Sequence, residues 1–532
     1  MPSCMFRAVA HVITIGALIQ PALLSQEFRS TIGGAVTDQQ GAVLPSIEIL
    51  AIQVDTGAKF RTVSAGDGQY TLPFVPPGIY RVEVGAPGFK KFVRTGIQVS
   101  ANERVALDVQ LELGSASDTV EIAADASIIE TSSASTGQVI TSRQIENIPL
   151  NGRTPLTLAQ LSFGVIPNSD PRFNRPFDNG GPSGFSIGGA PAQTNEILLD
   201  GAPDVTANDR VSYNPPVDVV QQVKVEIFQA DAAAGHTGGG TVNQITKSGT
   251  NAFHGTLYEF NQTSALESRN FFLSRSGQKL PVGRFNQYGG TFGGPVLIPK
   301  LFNGRNKVFF FFAFEGIKDS YPETVTITVP TALERKGDFS QLLNAGAKYQ
   351  IYNPFTGVTQ GSRIARQPFT NNVIPTSLMN PIALAYLNYY PLPNAPGQVD
   401  GAGNYVANSI RSDTFNSEFG RLDYNISDRH KIFGAVHTNA RVENRGNRFF
   451  NIGSGNFLSR DNAGATIDDV YTISPTTLLN TRIAWNRFVE ANAKPSEGFD
   501  FSTLGFPASL GKITGQANDI GRVGQLSLRL VF

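Results

Sequence analysis

The sequence predicts an all-β-dominated chain whose C-terminal half is a partial transmembrane antiparallel β-barrel. Three observations carry that expectation. The last residues alternate: Leu526, Leu528, Leu530 and Phe532 fall on one strand face, while Gln525, Ser527 and Arg529 fall on the other. A barrel wall has this pattern, with lipid on one side, a polar lumen on the other and an aromatic at the interface. Upstream, strand-like runs are joined alternately by tight turns and by long connections, the asymmetry of a membrane barrel. After residue 25 no stretch reaches about 18 uninterrupted apolar residues, so no spanning helix is expected. Taken alone, one alternating strand describes a half-buried soluble strand equally well. The rest of the chain decides.

Arg7 precedes an apolar run at 8–24 that is broken by His11, Gln20 and Pro21 and ends at Ser25. It is too short and interrupted for a membrane helix and has the layout of a cleavable secretory signal over residues 1–25. The single cysteine, Cys4, lies before the apolar core. The mature chain then has no thiol, which excludes disulfides and thiolate metal sites. At 532 residues the chain has room for several domains, and its formal charge of zero argues against a nucleic-acid partner.

Residues 27–114 carry short β-rich runs separated by turn signals at 38–41, 67–68, 76–78 and 87–88. Such spacing predicts a β-sandwich. The segments Gly33-Gly34-Ala35-Val36-Thr37-Asp38, Asp67-Gly68-Gln69-Tyr70 and Pro77-Gly78-Ile79-Tyr80 resemble the carboxypeptidase regulatory-like domain. That resemblance implies a transthyretin-like β-sandwich, sometimes grouped with carbohydrate-binding-like folds. The regulatory-like domain is not a peptidase, and no His-x-x-Glu pair is present to start a zinc site.

Residues 115–137 read as a linker. Within it Asp118, Thr119, Val120, Glu121 and Ile122 resemble a TonB box. Such a box is an extended segment that adds a strand to a periplasmic energy-coupling protein. The plain alternative is a last sandwich strand followed by linker. Residues 138–251 resemble the α/β plug domain of TonB-dependent receptors. The matching pieces, in the family's order, include Ile145–Arg153, Phe185–Gly189, Asn195–Gly201, Val219–Val225 and Gly238–Thr250. The glycine run at 238–240 lacks the Gly-Lys-Ser/Thr and helix of a phosphate loop.

Residues 252–532 are expected to form the wall, with strands at 253–262, 285–295, 307–316, 413–426, 431–442, 463–473 and 477–488 and the terminal strand. A long loop over 318–412 suits an extracellular position better than a compact soluble domain. The run Phe309–Phe312 fits either an interface girdle or a strand packed on both sides. Val329-Pro330-Thr331, Gly337-Asp338-Phe339-Ser340 and Phe419–Tyr424 resemble the Oar-like branch of TonB-dependent receptors.

Receptors of that type have barrels of about 22 strands around the plug, whereas about eight are legible here, as though an internal segment were deleted near Leu510. An eight-stranded barrel fills its own interior. A folded plug must then hang outside, rest in an open sheet, or share a lumen built by several chains.

No catalytic constellation is legible, and no cofactor or metal is expected. There is no His-x-x-x-His pair and no Gly-x-Ser-x-Gly elbow. His430 and His437 are expected on the barrel surface, Asp468–Asp469 at a strand end or turn, and Asp200-Gly201 in a turn. The expected function is a TonB-dependent outer-membrane receptor, shortened and impaired in transport. Its expected partners are a TonB-type coupling protein, the barrel-assembly machinery, outer-membrane lipid and an unknown extracellular ligand. A surface carbohydrate- or protein-binding adhesion protein without transport, and a nonfunctional remnant, stay open.

Overall fold

Short β-branched runs between turns build the first unit. The computed structural model describes residues 27–506 and 519–531, apart from 116–118, 124–135, 151, 169–174, 229–237, 267, 269–274 and 276–281. The expected signal segment and the Leu510 junction lie outside the described residues. In the first unit, β1 (Ser30–Asp38) lies between β4 (Gln69–Val75) and β7 (Arg104–Ala106), and also pairs β8 (Val109–Leu111). The second sheet runs β3 (Lys59–Val63), β2 (Glu48–Gln53), β5 (Gly78–Gly85), β6 (Lys91–Val99), β9 (Thr119–Ala123). Alternation sends Ile49, Val82 and Ile97 from one sheet and Ile32, Val36 and Val109 from the other strands of the unit into one dry core, which Leu107 between β7 and β8 joins. Gly34 is required where β1 passes the 107–108 backbone, because a Cβ there would lie 2.2 Å from the Leu107 carbonyl oxygen.

The second unit pairs a mixed sheet with short helical pieces. Its strand order is β10 (Thr136–Ile140), β15 (Val220–Phe228), β16 (Thr241–Thr246), β13 (Glu196–Leu199), β14 (Ala202–Pro203), while β11 (Val165–Pro167) and β12 (Phe185–Ile187) form a separate hairpin. Helix α1 (Ser142–Asn147) and the 3-10 segment Pro155–Leu161 lay Ile145, Leu156 and Leu158 against Val223, Val225 and Val242. Thr141 and Gln144 form a capping box at the start of α1. Asp200 and Gly201, both at positive φ (50° and 76°), join β13 to β14 as a two-residue hairpin turn.

The third unit is one antiparallel sheet of eight strands. In order these are β17 (His254–Thr263), β18 (Arg284–Pro295), β21 (Val308–Ile327), β24 (Tyr405–Ser427), β25 (His430–Arg445), β26 (Asn456–Ser474), β27 (Thr477–Ala493) and β28 (Asp519–Val531). Small hairpins, β19 (Leu297–Ile298) with β20 (Phe302–Asn303) and β22 (Val358–Gln360) with β23 (Arg363–Ala365), occupy two connections, and α2 (Pro381–Leu387) sits in the longer one. Among the described residues β17 and β28 are not paired with each other, so the sheet is open. Among the described residues no helix is long and apolar enough to cross a membrane.

The wall strands extend beyond the expected limits. β21 reaches Ile327 and β24 begins at Tyr405, and the two stay in register from Val308↔Tyr424 to Ile327↔Tyr405. The expected loop over 318–412 is therefore strand at both ends.

Register lines up one outward row across the sheet: Phe310, Leu422, Gly434, Ile467 and Ile483, with residue 526 paired to Ile483 in the ladder. Leu422, Ile467 and Ile483 are about half exposed, as a lipid-facing row requires. The next position along is occupied by Asp423, Phe433, Asp468 and Arg482, which face the second unit. In the phenylalanine run Phe309 and Phe311 are buried inward, while Phe312 is exposed outward. Phe310 packs with Phe292 and Phe253 on that outer side. The strand is thus aromatic on both faces.

Candidate functional site

The second unit rests on the inner face of the open sheet, one of the three arrangements expected. What joins them is a set of buried wall arginines. Arg421 on β24 reaches Asp200 in the β13–β14 turn (3.3 Å) and the Thr246 hydroxyl (2.8 Å), and is held from its own strand by Asp423 (2.8 Å). Asp200 also accepts from the Thr246 backbone amide at 2.9 Å and its hydroxyl at 2.6 Å. On β27 Arg482 is fully buried, pairs with Asp468 of β26 at 2.7 Å, and donates to the Gly201 carbonyl at 3.3 Å. Arg441 on β25 pairs with Asp413 at 2.8 Å and reaches Asp178 at 3.3 Å. A buried charge left without its partner costs several kcal/mol, so these contacts fix where the second unit sits.

Two more contacts complete the grip. The Tyr213 ring stacks on His437 with centroids 4.1 Å apart. His437 has room because residue 464 is glycine: a Cβ there would lie 2.3 Å from His437 Cε1. Asn462 donates to the Ser212 hydroxyl at 2.7 Å. Asp204 accepts from the Tyr213 amide at 2.8 Å, and burial pushes its carboxyl well above the usual carboxylate range. Burial likewise raises Asp178, against the pull of Arg441.

The first unit docks on the same assembly. Arg29 inserts between Glu27 (2.7 Å) and Asp468 (2.8 Å). Burial works against its cation, but those two carboxylates outweigh burial and hold its pKa above the arginine norm. The Ala101 amide donates to Gln222 at 2.8 Å, and Asn102 donates to Glu226 at 2.8 Å. An exposed pair, Arg61–Asp428 at 2.9 Å, links the sandwich to the β24–β25 turn.

Two sequence expectations are corrected. His437 is not a surface residue: it is 8% exposed and stacked on Tyr213. Asp468 is not a turn residue, since it lies inside β26 at 1% exposure and accepts from two arginines. His430 does lie near the surface and pairs with Asp469 at 2.7 Å. The arginines were missed, although a signal exists. Arg411 and Asp413, Arg421 and Asp423, and Arg441 and Glu443 stand two apart on strands, so each pair shares a face. Ion pairs on the face opposite Leu422, Val436 and Val442, which are exposed, mark the side that meets protein.

Thr119–Ala123 forms the edge strand β9, pairing parallel with β6 from Lys91↔Thr119 to Thr95↔Ala123. Val120 is half-buried and Glu121 exposed; Asp118 lies outside the described residues. In β28, Leu526, Leu528 and Leu530 stand opposite Ile483, Thr481 and Leu479, and Phe532 lies outside the described residues. Among the described residues no group of three or more His, Cys, Asp or Glu is placed to hold a metal ion.

The family described as outer membrane beta barrel domain matches residues 245–527, more than half of the chain. The chain belongs to that family and is an outer-membrane protein of a Gram-negative bacterium. Among particular proteins, it is similar to the TonB-dependent transporter Oar of Myxococcus xanthus, at 26% identity over 330 residues and 60% of this chain. The matched region spans 30% of that relative's length. The carboxypeptidase regulatory-like domain matches residues 31–112. Solved structures with a likeness include the outer membrane transporter YddB from Escherichia coli, at 12% identity and TM-score 0.42 over 73% of this chain and 43% of that one. Another is the siderophore receptor PirA from Acinetobacter baumannii, at 15% identity and TM-score 0.36 over 74% of this chain and 44% of that one.

Proposed function

We propose that the chain is a TonB-dependent outer-membrane receptor, not an enzyme, with residues 138–251 as plug and Asp118–Ile122 as the segment a TonB-type coupling protein engages. The observation that carries this reading is the plug-like unit pinned to the inner face of an outer-membrane wall by Arg421, Arg441 and Arg482. A pulled segment upstream of such a unit would act on a body held by these polar contacts and by the apolar cluster of Leu199, Tyr213 and Ile245 against Phe311, Phe419 and Phe433. Those contacts lie out of water, which is what makes the resting position definite. An extracellular ligand would bind the loops opposite the tight turns. The barrel-assembly machinery would insert the wall, and lipid would cover its outer face.

In this reading the wall is shortened by an internal deletion and transport is impaired, because an open sheet in lipid leaves costly unpaired backbone groups along its edges. A second reading, surface binding without transport, is favoured by the same open wall. One experiment separates them. A photo-crosslinking residue replacing Val120, in cells of the native host, is expected to capture the coupling protein, and a crosslinker at exposed Val54 is not. Absence of capture at residue 120, with the chain present in the outer membrane and binding intact at the surface, would favour the second reading.

A further inference from the structure

A feature the plug–wall contacts leave unexplained is a cavity of about 550 Å3 where sandwich, plug and wall meet. Its apolar lining comes from all three: Phe60 and Phe74 from the sandwich, Ile245 from the plug, and Phe433, Val470 and Leu478 from the wall. Size, apolar lining and position at a junction of units are those of a small-molecule site. The polar groups decide what kind of molecule fits.

Most charges around the cavity are already matched. Arg29 pairs with Asp468, Arg421 with Asp423, and Lys247 with Glu146 at 2.9 Å. Asp428, beside the cavity, is tied to Arg61. The remaining carboxylate of the lining, Asp55, is exposed at the sandwich lip. Two cations of the lining, both from the wall, form no salt bridge among the described residues. Lys431 donates only to backbone carbonyls, of Lys59 at 2.9 Å and Asp428 at 2.7 Å, and lies 4.2 Å from the Phe60 ring centroid. An ammonium has three donors, so one stays available. Arg429, two residues earlier, is exposed and makes no ion pair among the described residues. A chamber that is greasy within and cationic at one side selects a molecule with an apolar body and a single negative head.

We propose that this cavity binds a small amphipathic monoanion, its apolar body against Phe60, Phe74 and Leu478 and its acidic group against Lys431 and Arg429. The site rests on the receptor reading only for its role. In a receptor it is the vestibule a transported ligand enters on leaving the plug, which names amphipathic acids as the cargo class. Occupancy itself does not depend on that reading.

The test uses the full chain in phosphatidylcholine nanodiscs and two photoreactive probes, a diazirine-bearing decanoate and the matching decyl alcohol. Adducts are mapped by mass spectrometry. Decanoate is expected to label peptides carrying Phe74 or Leu478 at least tenfold more than the alcohol does. Arg429→Gln, a change on an exposed turn, is expected to lower that labelling at least threefold, and R429Q/K431Q to bring it to the alcohol's level. Leu478→Trp, which fills the cavity, is expected to reduce both probes. Equal labelling by acid and alcohol, adducts confined to the outer face, or labelling unmoved by R429Q and R429Q/K431Q would overturn the proposal. Capture of a coupling protein at residue 120 is a separate readout, so failure of the receptor reading and failure of this site are distinguishable.

Discussion

Replacing Arg421 by alanine removes one end of the contact that holds the β13–β14 turn to the wall. Asp200 and Arg421 have side-chain exposures of 3% and 8%, so neither is solvated in the folded chain. Stripping one partner from a buried pair costs about 3–5 kcal/mol. Asp200 keeps its two bonds from Thr246, so the lower end of that range is expected for opening of the second unit. At about 1.4 kcal/mol per tenfold change, 3 kcal/mol is roughly a hundredfold in the opening equilibrium. The assay is thiol labelling of a cysteine replacing Val211, a fully buried residue of the second unit. Cys4 is replaced by serine, so the reporter is the sole thiol. Labelling through local opening reads that equilibrium directly. R421A should accelerate labelling about a hundredfold. R421M combined with Asp200→Asn, which removes both charges and suits the positive φ at residue 200, should recover most of it. Acceleration below about threefold would refute the claim that this pair pins the second unit to the wall.

Gly464→Val should drive its side chain into His437 and lift that ring off Tyr213, costing about 1–3 kcal/mol in thermal unfolding, and H437A in the same chain should restore part of the loss. Asp204 titrates the opposite way from a paired carboxylate. Because burial raises its folded pKa, its stabilising contribution is full below about pH 3.9 and is lost as pH rises through the folded value. Val211 thiol labelling should therefore quicken from acid toward neutral pH, and D204N should flatten that slope. Arg29→Ala should release the sandwich, seen as protease cleavage between the first two units. Arg61→Ala should not, because Arg61 and Asp428 are about 40% exposed and such pairs contribute about 1 kcal/mol or less.

Much of the wall was legible because lipid on one face imposes a period of two. Leu422, Tyr424 and Ile426 announce β24 in this way. The same strand's other half, back to Tyr405, was not legible. There Asn408, Ser409, Arg411 and Ser412 interrupt the alternation, and the segment is held by the ladder to β21 and by Tyr405 and Ala407 packing on Val329, which is distant in sequence. The Asp200-Gly201 turn could be read locally, since both residues tolerate positive φ. Its partner Arg421 could not, because nothing local ties residues 221 positions apart. His437 was misplaced for a related reason. Whether an inward histidine is buried depends on Tyr213 and on the missing side chain at Gly464, neither of which is near it in sequence.

The central claim is that Leu422, Val436, Ile467 and Ile483 face lipid while the opposite face carries the second unit. Spin labels at these four positions and at inward Ala435, in the chain reconstituted into bilayers, test it through relaxation by oxygen and by a water-soluble nickel chelate. The account predicts that oxygen dominates at all four outward sites and that residue 435 is shielded from both reagents. Dominance of the nickel chelate at the outward sites, with the chain remaining soluble without detergent, would contradict it.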